Sequence, residues 1–362
     1  METCFFMEET MKITKEISNQ RIEWVDLVKG FATLCIIFGH TMEWTSSEIG
    51  IKLFLLPLVY SFSVPTFFFI SGFLHSVKSI GFFQYVWKKV RAILLPYFTF
   101  AAIYILVDIF KKYILHSKDD INIIRNIKYF FIQEHYTALW FLAVLFSVEL
   151  IAFFICKIKS KSIIFSVSLL FVIVAFIYLK FVNKWLPWCT DEVIFATPIF
   201  LWGYLIKIFD KSDIFINIKF SPLYIVVSIM LNVINLKINE DIFYVNMWKL
   251  HFGILPLFYL SALLAIFAMI SIAKKIKTFS WLKYIGRNSL VYYGLHSILI
   301  TFFAHFIRKI FIDSSFIYLL VCVSETILIS VLMTIVNIMI IKTPLCVLIG
   351  KTYTKQAKRL SQ

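Results

Sequence analysis

Residues 21 to 44 read Arg-Ile-Glu-Trp-Val-Asp-Leu-Val-Lys-Gly-Phe-Ala-Thr-Leu-Cys-Ile-Ile-Phe-Gly-His-Thr-Met-Glu-Trp. The run is long enough to cross a bilayer, for which about 20 apolar residues suffice. It nevertheless keeps Asp26, Lys29, His40 and Glu43. A charge near the centre of a membrane helix costs ~2.5 to 3.5 kcal/mol on insertion scales, so insertion alone does not account for these groups. The eleven-residue step from Lys29 to His40, at about 100° per residue, returns to within roughly 20° of the same direction, with the two residues about 16 Å apart along the axis. Thr33 lies between them on that face. Asp26 precedes Lys29 by three and Glu43 follows His40 by three, both neighbour spacings on a helix. The stretch is therefore a membrane helix with a polar stripe.

Working outward, the same character extends along the chain. Of 362 residues 60% are apolar, against about 45 to 50% in soluble domains, and the mean hydropathy is +0.86. Apolar runs separated by charged or Pro/Gly/Asn breaks predict ten spans, at 24 to 44, 53 to 75, 91 to 110, 137 to 156, 162 to 179, 192 to 209, 220 to 236, 250 to 273, 288 to 307 and 316 to 341. The expected fold class is an all-α integral membrane bundle. It divides into an N-terminal segment 1–23, a transmembrane domain 24–341 and a basic tail 342–362. No cleavable leader is evident in the first 23 residues, and Met7 and Met11 leave the true start open.

The net charge of +15 comes from 36 Lys and Arg, and these lie in the connections, which is how a membrane protein carries them and does not call for nucleic acid. With the N-terminus inside, the inner segments hold 23 of them and the outer segments 12. That bias puts both termini in the cytoplasm. The six cysteines show no metal-ligand spacing, so buried thiols and no metal are expected.

Several groups can carry chemistry. An interior histidine such as His40 is either a hydrogen-bonded packing residue or, near neutral pH, a general base or transient nucleophile. Lys88 and Arg91, spaced i, i+3 before the third span, either set topology and touch headgroups or clamp phosphates from the cytoplasm. Trp140 at the start of span four reads as an interfacial anchor or an acceptor contact. His75 falls at a span end, and Glu149 and Glu325 lie deeper, each needing a partner, water or a proton. Around span nine, Arg287 joins a basic cluster, Asn288 or Ser289 is a candidate cap, and Tyr292 and His296 sit i, i+4 on one face.

Taken in order, six pieces resemble acyltransferase family 3, the bacterial membrane O-acyltransferases that include the fucose 4-O-acetylase-like enzymes. They are Trp-x-Asp-x-x-Lys-Gly at 24 to 30 with His40; Pro-x-Phe-Phe-Phe-Ile-Ser-Gly at 65 to 72; the basic pair before Pro96-Tyr97; Leu-Trp-Phe-Leu at 139 to 142; Gly-Tyr at 203 to 204; and Ile-Gly-Arg-Asn-Ser-Leu at 285 to 290 with His296. The resemblance implies transfer of an acyl group, usually acetyl, from cytosolic acetyl-CoA to a hydroxyl of a cell-surface glycan or lipid-linked sugar. It also implies a bacterial inner membrane as the location. The family's Arg eleven residues before the histidine maps onto Lys29, and its Arg-x-x-Arg maps onto Lys88 and Arg91. Each lysine keeps the charge but lacks the planar bidentate fork.

The expectation is then that His40, with Lys29 and Asp26, forms the catalytic stripe. Lys88, Arg91 and Arg287 would hold the donor's phosphates, and Trp140, Glu43 and His296 would contact the acceptor. No tightly bound cofactor is expected, acyl-CoA being a substrate. Partners are membrane lipids, and the chain is expected to act alone, as a homo-oligomer, or by handing its acyl group to a separate protein, with oligomeric state open. A multi-pass transporter or a non-catalytic partner of a glycan pathway is the alternative, although no repeat-related helix breaks are visible.

Overall fold

The computed structural model describes residues 22–45, 50–76, 80–114, 122–133, 139–209, 216–239, 244–276, 279–307 and 314–351. The expected N-terminal segment up to residue 21, with Cys4 and the alternative start methionines, and the tail from 352 onward lie outside them. Among the described residues the chain is helical, its sole bridge-type pairing being that of Asn246 with His251. With no water in a bilayer to satisfy backbone groups, helices meet that need within each segment.

The first two spans are α1 (Glu23–Thr45) and α2 (Gly50–Leu74). A continuous helical run from Phe82 to Tyr113 follows, made of α3 (Phe82–Lys89), a π-helical turn Val90–Leu94, α4 (Leu95–Ile109) and a second π-helical turn. Then come α5 (Ile123–Ile132), α6 (Trp140–Ile155), α7 (Lys161–Phe181), α8 (Thr190–Ile208) and α9 (Ser221–Ile238). The chain closes with α10 (Leu255–Lys275), α11 (Ser280–Arg287), α12 (Ser289–Ile307), α13 (Ser315–Ile341) and a 3₁₀ segment, Pro344–Ile349. Nine stretches among the described residues are long and apolar enough to cross a membrane, and Ser289–Ala304 is a shorter apolar tenth. The protein is an all-α multi-pass membrane protein.

Burial explains the arrangement. α1 touches α2, α10, α11, α12 and α13 and is largely enclosed, whereas α7 turns Phe165, Leu170, Ile173 and Phe176 outward, a surface suited to lipid. Helix pairs in lipid gain little from hydrophobicity and associate through small residues that let backbones meet. Two such crossings organise the bundle. A Cβ on Gly30 would stand 2.1 Å from the Leu282 carbonyl oxygen, and one on Gly286 would stand 1.8 Å from that of Asp26, so α1 and α11 are in backbone contact. Gly72 and Gly203 do the same for α2 and α8, at 1.8 Å from the Phe200 oxygen and 2.0 Å from the Phe69 oxygen.

Three local expectations are corrected. Residues 280–287 form a helix packed on α1 where the sequence reading has only a connection. Asn288 sits at the expected junction, but its side-chain amide turns back to donate to the Tyr284 carbonyl (2.8 Å) and does not cap α12. Residues 342–351, read as the start of a tail, belong to the bundle: Cys346 and Ile349 are buried, and Thr99 donates to the Leu348 carbonyl at 3.0 Å.

Candidate active site

Alternating spans bring one set of helix ends to the side of Glu23 and the other to the side of Thr45. On the Thr45 side, a cavity of about 570 Å³ opens between α1, α2, α4, α6, α12 and the 244–254 segment. His40 and Glu43 stand in its wall, together with Trp140, Trp44, Trp248 and Tyr104. The cavity is thus aromatic, with carboxylates from Glu43 and Asp108.

The protonation pattern around His40 follows from its partners. The Tyr244 hydroxyl donates to Glu43 Oε1 at 2.6 Å and the Tyr60 hydroxyl donates to Glu43 Oε2 at 3.0 Å. A carboxylate only accepts, and a tyrosine has one O–H to give. With that proton committed to Glu43, the Tyr60 oxygen is the acceptor in its 3.0 Å contact with His40 Nδ1. His40 therefore carries its proton on Nδ1 and presents an unprotonated Nε2. Glu43 itself lies 3.5 Å from Nδ1, and the His40 side chain is 31% exposed. This is the arrangement a general base requires, a ring held in one tautomer by a carboxylate, here through an intervening tyrosine.

Supporting contacts hold these groups in place. A Cβ on Gly39 would lie 2.4 Å from Tyr60 Cε1, so the ring occupies space that only glycine leaves open. Tyr244 is carried by a hairpin in which Asn246 and His251 exchange backbone bonds of 2.8 and 3.0 Å. Asn235 of α9 clasps the hairpin's far end, donating to the Phe252 carbonyl (2.8 Å) and accepting from the Ile254 N–H (2.6 Å). Burial, and then the Glu43 carboxylate, hold the Tyr244 hydroxyl well above its ordinary pKa, so it remains a donor. On the far side of α1, the Tyr318 hydroxyl donates to the Met42 carbonyl at 2.6 Å.

His296 lies against His40, ring centroids 5.2 Å apart and planes tilted by 34°. It is fully buried. Its Nδ1 donates to the carbonyls of Tyr292 (3.0 Å) and Tyr293 (2.8 Å). Carbonyls only accept, so the proton is on Nδ1 and Nε2 is the unprotonated nitrogen, 3.5 Å from the Ser297 hydroxyl. Tyr292, one turn away on the same helix, gives its carbonyl to His296 while its hydroxyl engages Thr334 at 2.6 Å.

On the Glu23 side, the Arg287 Nε donates to Asp26 Oδ2 at 3.0 Å and Lys283 pairs with Glu23 at 2.7 Å. Asp26 thus anchors Arg287 and is not part of the His40 cluster. Lys29, half-buried, accepts the Thr33 hydroxyl on its carbonyl at 2.7 Å. Lys88 and Arg91 remain exposed, one on each side of the point where the π-helical turn begins. The C-terminal segment links these groups. Gly350, at φ +75°, packs against the Arg91 backbone, and the next residue, Lys351, donates to Asn288 Oδ1, beside Arg287.

Glu149, for which a partner was needed, has several. Lys89 lies 2.5 Å from Oε1, while the Tyr85 hydroxyl (2.6 Å) and His75 Nδ1 (3.0 Å) meet Oε2. Lys207 donates to the His75 carbonyl at 2.6 Å. The neighbour of the lysine singled out in the sequence is the one that reaches inward.

Of the expected site residues, His40, Glu43, Trp140 and His296 converge, while Lys88, Arg91 and Arg287 lie toward the opposite end with Asp26. Tyr60, Tyr244 and Lys351 were not expected. Tyr60 stands in the second span beside Ser61, Ser63 and Thr66, so its residue type did not single it out, and nothing in the sequence ties Tyr244 to Glu43.

A family model described as acyltransferase domain matches residues 22–336. No curated protein and no solved structure matches the chain.

Proposed function

The chain belongs to acyltransferase family 3, and from that premise we propose that this membrane acyltransferase takes its acyl group, with acetyl as the leading candidate, from cytosolic acyl-CoA and delivers it to a hydroxyl of a glycan or lipid-linked sugar on the other face. The observation that carries the reading is the polarity of the bundle. A tautomer-locked imidazole faces an aromatic cavity at the Thr45 end, while exposed cations gather at the Glu23 end, which the charge bias assigns to the cytoplasm.

In this reading the phosphates of the donor rest on Lys88, Arg91, Arg287 and Lys351, and its thioester enters the bundle toward His40. The acceptor occupies the outer cavity, where aromatic rings such as Trp140 meet the C–H faces of a sugar. His40 Nε2 removes the hydroxyl proton, Tyr60 and Glu43 stabilise the imidazolium that forms, and general base catalysis of this kind is worth about 10²- to 10⁴-fold. The separate acyl-accepting protein considered from the sequence is not required for this scheme.

The test uses full-length protein in proteoliposomes with acetyl-CoA inside or outside and a panel of neutral methyl hexosides as acceptors. Ester formed on the opposite face from acetyl-CoA, and lost in His40→Ala with the protein still folded, is the expected result. Undiminished transfer by His40→Ala would sink the mechanism. Flux of a glycoside without acetyl-CoA would favour a transporter.

A further inference from the structure

Two imidazoles share this site, and the mechanism above uses one. Both carry their proton on Nδ1, His40 toward Tyr60 and His296 toward two backbone carbonyls. In both rings Nε2 is therefore the nitrogen without the proton. At a ring spacing of 5.2 Å a direct or single-water contact between those nitrogens is within reach. They differ in surroundings: His40 faces the acceptor cavity, whereas His296 is fully buried behind it. A packing role alone does not call for a buried imidazole with only a hydroxyl at 3.5 Å beside its unprotonated nitrogen, because burying an incompletely bonded polar group is unfavourable.

Resting on the proposed acyl-CoA reading, we propose that His296 is a second catalytic residue, a general acid that receives the acceptor's proton from His40 and delivers it to the departing thiolate. The steps balance. The acceptor O–H bond breaks as its oxygen bonds to the acyl carbon, and the proton moves to His40 Nε2. The C–S bond breaks, the proton passes from His40 Nε2 to His296 Nε2, and from there to sulfur, so that ester and free thiol leave with both imidazoles neutral. A thiolate expelled into an apolar interior is strongly disfavoured in its charged form, which is why a proton is needed at that place. One histidine then serves the oxygen and the other the sulfur, with no net proton taken from either side of the membrane.

The experiment compares acetyl-CoA with acetyl-seleno-coenzyme A, which keeps every donor contact but releases a far more acidic selenol that leaves without protonation. Full-length protein in proteoliposomes is used, with the methyl hexoside that supports turnover. His296→Gln should lower kcat/KM about 10²-fold with the thioester and less than about 10-fold with the selenoester, each relative to wild type with the same donor. His40→Gln should lose at least about 10²-fold with both donors, and more with the thioester, because it removes the base and with it the source of the proton His296 delivers. Equal losses for His296→Gln with both donors would overturn the assignment and leave His296 a structural residue. Should His296→Gln fail to fold, wild-type protein decides: a larger solvent deuterium effect with the thioester than with the selenoester supports proton delivery to sulfur, and equal effects refute it. Absence of any wild-type transfer from acetyl-CoA would instead refute the donor assignment.

Discussion

Replacing Glu43 by Gln should damage activity more than replacing Tyr60 by Phe, although Tyr60 is the group in contact with His40. In the native site both oxygens of Glu43 accept, from Tyr244 and Tyr60, and this orders the Tyr60 proton away from His40. An amide at position 43 brings its own N–H donors. Directed at the Tyr60 oxygen, such a donor swings the Tyr60 proton toward His40 Nδ1, which must then accept, and the imidazole proton moves to Nε2. The base is lost by tautomer, with the ring still in place. A general base contributes about 10² to 10⁴ in rate, so Glu43→Gln should lower kcat/KM by ~10²- to 10³-fold, or about 2.7 to 4 kcal/mol at 1.36 kcal/mol per decade. Tyr60→Phe leaves the carboxylate 3.5 Å from Nδ1, close enough for a small side-chain adjustment to restore a direct bond that keeps the correct tautomer. Its loss should stay near 10-fold, about 1.4 kcal/mol. The assay is initial-rate acyl transfer in proteoliposomes, with folding checked by thermal denaturation. A Tyr60→Phe loss equal to or greater than that of Glu43→Gln would refute the tautomer argument.

Three further outcomes are expected. Gly39→Ala places a methyl 2.4 Å from Tyr60 Cε1, so it should shift that ring, lower kcat and cost roughly 1 to 3 kcal/mol of stability through overpacking, read by rate and melting together. Lys89→Met strips the cation from buried Glu149 and should destabilise by about 3 to 5 kcal/mol, while the double variant with Glu149→Gln recovers much of it; additive losses in that cycle would contradict the pairing. Lys351→Ala should raise KM for acetyl-CoA several-fold with kcat held, and an unchanged KM would remove Lys351 from the donor site.

Much of this was legible in the chain because a bilayer leaves few options. Segments of about 20 apolar residues must be helices, so ten spans can be counted from Trp24 to Ile341; among the described residues nine are long and apolar enough to cross, and the remaining one is the shorter apolar stretch Ser289–Ala304. The cost of a buried charge likewise flags His40, Glu43 and Glu149 before any coordinates are known. What spacing conveys is the direction of a side chain on its own helix, and it is silent on the neighbouring helix. Lys29 and His40 share a face, yet the group that completes His40 is Tyr60 on α2, twenty residues away. Lys88 and Lys89 are adjacent in sequence, but only the helix register against α6 selects Lys89 for Glu149. The motif glycines look like markers of chemistry, and in space Gly30, Gly72, Gly203 and Gly286 are the places where two backbones touch.

The amino-acid sequence by itself determined that this protein is a helical membrane bundle and that its first helix carries ionisable groups needing a purpose, since both follow from transfer energies summed along one segment. The tertiary structure alone decided which partners those groups have. Glu43 orders Tyr60, Tyr60 orders His40, and His296 stands behind it, because a hydrogen bond is set by the meeting of three or four helices and not by the order of residues along any one of them.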